Sequence, residues 1–125
     1  MPRLMPAAVL GLAATFALAG CKAQIQPPGD VGVCYHLAAM VNGQPKFNVV
    51  ARNVPDMEHC AGQLEAMRDR FLSLGGSQRD IAGAYQANFL FLGDEGVFTA
   101  QTYDGPRYPF LVRSGDQLVP VGSAP

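Results

Sequence analysis

Tryptophan is absent from the 125 residues, histidine occurs twice, cysteine three times, and charged residues make up only 15%. Each scarcity narrows the chemistry open to the chain. Nine basic residues face ten acidic ones and gather into no patch, so a nucleic-acid partner has no support. There is no His-Glu-x-x-His run, no Gly-x-Ser-x-Gly elbow and no glycine loop of the phosphate-cradling kind. Ser73, Ser77, Ser114 and Ser123 stand in helix-end, loop and tail contexts with no base beside them. The adjacent carboxylates Asp94 and Glu95 lie between glycines and read as a solvated hairpin tip. The expectation is a protein without catalytic activity or cofactor. A membrane-spanning run is missing too. The most apolar stretch, Ala7 to Ala19, falls short of the roughly 20 residues a bilayer core requires, and Pro6 stands at its edge.

That same stretch is nevertheless the most informative in the chain. Arg3 supplies a positive start, the apolar run follows, and it closes on Leu18-Ala19-Gly20-Cys21. A basic start, a short apolar centre and small residues at the end are the marks of an export signal. The closing four residues resemble a lipobox, the bacterial motif after which a signal peptidase cuts and the new N-terminal cysteine is lipidated. The resemblance implies a signal peptide over 1–20, acylation at Cys21 and a cell-envelope lipoprotein held to the membrane. An ordinary secretory signal is an alternative, because Ala17-Leu18-Ala19 also meets a small-x-small cleavage rule. A buried helix is a weaker one. Cysteine counting favours the lipoprotein. Acylating Cys21 leaves the even pair Cys34 and Cys60, whereas a soluble form would carry an odd reactive thiol. Lys22 follows the cysteine where an aspartate would act as a retention signal in some Gram-negative bacteria. The resemblance therefore leans towards the outer membrane, with the domain facing the periplasm.

Without the leader, 105 residues remain, enough for one domain and not for two. Residues 21–30 read as the lipidated cysteine and a tether. Ile25 is the tether's only large apolar residue, and Pro27-Pro28-Gly29 is stiff and extended. Residues 31–122 form the globular part. Val31 to Val41 alternates and reads as a strand apolar on both faces. Asn42-Gly43 is the favoured two-residue hairpin turn, and Lys46 to Arg52 is its return strand. Asn53 and Pro55 then announce a helix, with Asp56 and Glu58 at its positive end. Its apolar stripe is Met57, Cys60, Ala61, Leu64, Met67, Phe71 and Leu74, it leaves Arg68 on the polar side, and Gly75-Gly76 ends it. Ser77 to Tyr85, weakened by Gly83, reads as a loop or single turn. Four turn-bounded apolar runs follow: 86–92, 97–103, 108–113 and 117–121. The order β-β-α-β-β-β-β predicts an α+β fold, a small antiparallel sheet with one amphipathic helix packed on it.

Cys34 on the first strand and Cys60 on the helix stripe can both face the helix–sheet junction, and an exported domain favours their disulfide. Two alternatives stand beside it: a pair of reduced buried thiols, and a metal or redox site using Cys34, His36 and Cys60. Adjacent helical residues point about 100° apart, which argues against His59 and Cys60 closing on one ion. His36 reads as a partly buried histidine. Tyr103, Arg107 and Tyr108, with Tyr85, cluster at turns, and tyrosine and arginine are enriched in interface hot spots. Pro109, early in its strand, suggests an edge that could accept a partner strand. These residues are the candidate protein-binding surface. A tyrosine cap on the core is the plainer alternative. Together the features suggest a non-catalytic, membrane-tethered envelope module that binds or supports a partner. An inhibitor-like binder of a periplasmic enzyme is the alternative.

Mass spectrometry of protein made in a bacterial host should show a diacyl- or triacylglyceryl cysteine at position 21, and Cys21→Ala should accumulate precursor. Processed Cys21→Ala protein still found with the membrane would overturn the lipobox reading.

Overall fold

The computed structural model describes residues 24–122; Cys21 and the expected signal peptide over 1–20 lie outside them. Seven strands form one antiparallel sheet: β1 (Cys34–Val41), β2 (Gln44–Ala51), β3 (Ile81–Tyr85), β4 (Asn88–Gly93), β5 (Gly96–Ala100), β6 (Tyr108–Ser114) and β7 (Gln117–Pro120). The helix α1 (Met57–Ser73) lies between β2 and β3 in sequence. Across the sheet the strands run β2-β1-β3-β4-β5-β6-β7, so the connection through α1 carries the chain over β1. The architecture is the expected α+β one, a single helix on an antiparallel sheet. Among the described residues no helix is long and apolar enough to cross a membrane.

The helix begins where the charges place it. Asp56 is its N-cap, with an extended backbone and a carboxylate that accepts from the His59 N–H at 2.8 Å. At the other end, Gly75 takes φ +96°, its N–H reaching the Leu72 carbonyl and the Gly76 N–H that of Phe71. That pair of bonds is the Schellman closure glycine makes possible. Between the ends, Cys60, Ala61 and Leu64 are buried as the stripe predicts. Its lower part departs from expectation. Arg68 is only 5% exposed, while Phe71 is 44% and Leu74 81% exposed. An arginine occupies the inner position one turn after Leu64 because partners satisfy its guanidinium there.

The run 81–85, expected as part of a loop or turn, is instead the interior strand β3. Gly83 weakens strand propensity, and tertiary contact overrides it. A Cβ there would come within 2.3 Å of the Tyr35 carbonyl oxygen and 2.6 Å of Leu64. Glycine is what allows β1 and the helix to close on this strand. The extra strand also shifts its neighbours: Gln86 and Ala87 form the β3–β4 turn with positive φ, and β4 starts at Asn88.

Each sheet face carries a core. On the helix side, Cys34, Leu64, Leu90, Leu92, Val97 and Leu111 are at most 3% exposed. Tyr85, expected at an exposed turn, is buried with them, its hydroxyl donating to the Val54 carbonyl at 2.6 Å. On the other side, Phe89, Phe91 and Ala100 form a second cluster, packed by Ile25, Phe47, Phe98 and Tyr103. Ile25 belongs to the stretch expected as a tether. From Ile25 onward that stretch is instead a strap. Ile25 accepts from the Tyr103 N–H at 3.3 Å, Pro27 is buried, and Pro28 accepts from the Ala87 N–H at 2.9 Å. Asp30 accepts from the Tyr35 hydroxyl, and the Gly32 N–H reaches the Gln86 side chain at 2.8 Å. Those contacts hold the positive-φ turn at 86–87 in place.

Cys34 and Cys60 are bonded as a disulfide across the helix–sheet junction, with their Cα atoms 5.3 Å apart and both residues fully buried. The bridge spans 26 residues. By chain entropy such a loop contributes about 3.5 kcal/mol, and about 1 kcal/mol moves the melting temperature of a domain this size by roughly 4–8 °C. A Cys34→Ala, Cys60→Ala double variant should therefore melt well over ten degrees lower. An unchanged melting temperature, or two free thiols in the protein purified without reductant, would overturn this.

Candidate functional site

The site begins where two neighbouring strands part. β1 and β3 pair only through Cys34–Tyr85, Tyr35–Ala84 and His36–Gly83, whereas β1 stays paired with β2 to Val41–Gln44. Two causes separate them. A bulge at Ala38 breaks the register of β1, which bends the strand. On the other side, the chain entering β3 is drawn towards the β4–β5 turn. Arg68 donates from Nε to the Arg79 carbonyl at 2.6 Å and from a terminal nitrogen to Asp94 at 2.6 Å. Arg79 donates from Nε to the same carboxylate at 2.9 and 3.0 Å. Glu65 extends the network. It lies 3.9 Å from Arg68 and accepts from two nitrogens of Arg113, which also donates to the Gly93 carbonyl. Asp94 is thus no free hairpin tip, and the Arg79 hydrogen bond holds its carboxyl below the usual range.

The parting leaves an open cleft of about 670 Å³. Its lining joins the β1 segment Leu37–Met40 to the aromatic side chains Phe91, Phe98 and Tyr103 with Arg107, and to the polar chain at Gln78–Asp80 and the acidic turn at Asp94 and Glu95. Along Leu37–Val41 the β1 edge facing this cleft has no strand partner among the described residues. The hydrogen-bonding direction follows from the hairpin. Asn42 and Gly43, at φ +53° and +78°, make a type I′ turn flanked by the pair Val41–Gln44. Alternation then makes Met40–Pro45 a pair that exchanges no ladder bonds, so the Met40 N–H and C=O point outwards to the cleft.

The aromatic floor is built by strand alternation. Phe89 and Phe91 stack at 5.8 Å, and Tyr103 meets Phe89 edge-on at 5.7 Å. The Arg107 guanidinium lies 3.5 Å above the Phe91 ring, a cation–π contact worth about 0.5–2 kcal/mol. No carboxylate pairs with it among the described residues, so the N–H donors around its rim are free for a ligand.

The expected surface of Tyr103, Arg107 and Tyr108 is therefore divided. Tyr103 and Arg107 share the cleft. Tyr108, 60% exposed, pairs with Thr99, which pairs with Leu90, so it shares the helix side of the sheet. Nor is β6 an edge strand, since the edges are β2 and β7. Pro109 fits because β7 pairs with β6 only from Leu111 onward, leaving the start of β6 bare on one side. Of the residues weighed for a metal or redox site, Cys34 and Cys60 hold each other in the disulfide. His36 is half-buried, and burial lowers its pKa below 6.5. His59 stands exposed on Asp56. Arg68, expected on the polar side of the helix, is buried, and neither Arg79 nor Met40 stands out in the sequence, because nothing local marks a buried arginine or an open edge. The Ala-Ala-Met run ahead of Asn42-Gly43, free of charge, was the available hint.

Compared with known protein families, curated proteins and solved structures, the chain matches none.

Arg68→Ala should cost about 1.5–3 kcal/mol, the value of hydrogen bonds made by a charged group. It should also speed amide exchange at Ile81 and Ala82, where the network anchors β3. Asp116→Ala, in an exposed turn, should stay within about 0.5 kcal/mol of the parent. An Arg68→Ala protein as stable as the parent would show that the network does not shape the cleft.

Proposed function

We propose that this chain is a lipid-anchored, non-catalytic module of the bacterial cell envelope that binds a protein partner in its cleft. The partner supplies an extended segment that pairs with β1. The observation that carries the reading is the bare edge of Leu37–Val41 beside a preformed aromatic cleft. A strand edge offers unspent N–H and C=O groups, and a pocket next to it selects side chains, the two ingredients of recognition by strand addition. Ala38, Ala39, Met40 and Val41 are exposed and uncharged, and Met40 and Val41 are 40% and 51% exposed. Natural proteins ordinarily guard such an edge with charge or proline. Arg107 would fix the segment's register by donating to a carboxylate or a main-chain carbonyl. The anchor suits this role, because it raises local concentration at the membrane.

The reading as a thiol redox or metal protein has less support, since the two sulfur atoms are bonded to each other and fully buried, out of reach of a reactant. The inhibitor-like reading survives as a special case, in which the inserted segment belongs to an enzyme.

Envelope capture with the tethered protein tests the proposal through three variants. Met40→Pro removes the outward N–H at a position whose ladder partner is already proline, and Arg107→Ala removes the cation from the cleft. Both should keep the parent's circular dichroism and lose the partner. Tyr108→Ala, on the opposite face, should retain it. Partner recovery by folded Met40→Pro and Arg107→Ala proteins equal to the parent's would reject the cleft as the binding site.

A further inference from the structure

We infer that the strap turns the aromatic face of the sheet towards the bilayer, with Arg107 against lipid headgroup phosphates until a partner segment displaces them, so the cleft is reached along the membrane surface. The inference rests on lipidation of Cys21. Only four residue steps separate Cys21 from Ile25, the first residue seen packed on the domain. At 3.3–3.6 Å per residue, a fully extended chain covers at most about 14 Å over that distance. A folded domain of this size has a radius of gyration of about 13 Å. So short a leash cannot pass from the strap to the helix side of the sheet. Whichever surface surrounds Ile25 is the surface held beside the lipid.

That surface is specific. The Ile25 carbonyl accepts from the Tyr103 N–H, and the Ile25 side chain packs into the cluster of Phe89 and Phe91. Arg107 lies over that same Phe91 ring. Thus the turn from Thr102 to Arg107 sits at the point where the chain leaves for the membrane. Its guanidinium is exposed and has no carboxylate partner among the described residues, which is the complement of a phosphate. Asp104 is the opposing charge on the turn, so the contact is to headgroup phosphate in general and selects weakly for anionic lipid. Helix α1 and Tyr108 belong to the far side. A partner segment entering the cleft therefore comes from a protein at the same bilayer surface, not from the open periplasm.

The absence of tryptophan makes the orientation measurable, because one introduced indole is a unique reporter. Full-length chains carrying Pro106→Trp, Asp104→Trp or Gln63→Trp are made in a bacterial host and purified from membranes. Each is placed in vesicles of phosphatidylethanolamine and phosphatidylglycerol containing headgroup-spin-labelled lipid. All three positions are exposed, the first two on the turn and the third on the helix. Tryptophan at 106 and at 104 should be quenched several-fold more strongly than at 63. Ile25→Ser, which loosens the strap, should bring the three closer together, and Arg107→Ala should weaken the quenching at 106. Equal quenching at all positions of an acylated protein, or stronger quenching at 63, would overturn the orientation alone. An unmodified Cys21 in the mass spectrum of the same preparation would overturn lipidation and this inference with it.

Discussion

Cys34 and Cys60 tie helix α1 to the second strand of the sheet by a covalent bond, and most other placements follow from that tie. With Cys60 pinned against β1, Leu64 one turn later lies over β3 at Gly83, where only a hydrogen fits between it and the strand. The next inner position falls to Arg68. A helix held at one end and seated on a glycine has little freedom to roll, so a charged residue is carried into the interior. It is tolerable there because the Arg79 carbonyl and Asp94 stand ready to accept.

The consequence of that buried arginine is felt at the surface. Arg68 and Asp94 between them hold the chain that enters β3, and they hold it away from β1. Two strands that could have paired over their full lengths pair over three residues and then part. The bulge at Ala38 bends the other side of the gap. The cleft is thus an outcome of electrostatics on one flank and of an extra residue on the other. It opens directly onto the aromatic face because β3 and β4 alternate small and large residues towards that side, with Ala82 and Ala84 opposite Phe91 and Phe89.

The second face also explains why a proline-bearing N-terminal stretch does not simply hang free. A sheet of this kind, apolar on both sides, needs cover on the face the helix does not reach. Ile25, Pro27, Tyr103 and Phe47 provide it. The cover comes from irregular chain, not from a second helix, so it is thin, and it leaves one end of the aromatic cluster open beneath Arg107. The stretch expected as a tether is therefore, from Ile25 onward, cover for the sheet. In the proposed envelope setting, that economy converts an anchor into an orientation.

Features that depend on neighbours a few residues apart were legible in the chain alone. The turn at Asn42-Gly43, the cap at Asp56, the glycine stop after Leu74, the period of the helix at Cys60, Ala61 and Leu64, and the meander after Gln86 are local matters. They came through as an antiparallel sheet with one helix. Cys34 and Cys60 were legible as a pair because each lay on the inward side of its own element. Which local rule yields, by contrast, depends on long-range packing. Ser77 to Tyr85 reads as a loop or turn until Gly83 lets Leu64 and Tyr35 close upon it, and Arg68 belongs outside until Asp94 and a bare carbonyl draw it in. Ile25 belongs to a tether until Phe89 offers it a surface. The division of Tyr103 and Arg107 from Tyr108 is of the same kind, since a side chain's face is set by cross-strand register and residues close in sequence need not share it. Such choices rest on contacts between residues tens of positions apart, and composition and periodicity carry no record of those distances.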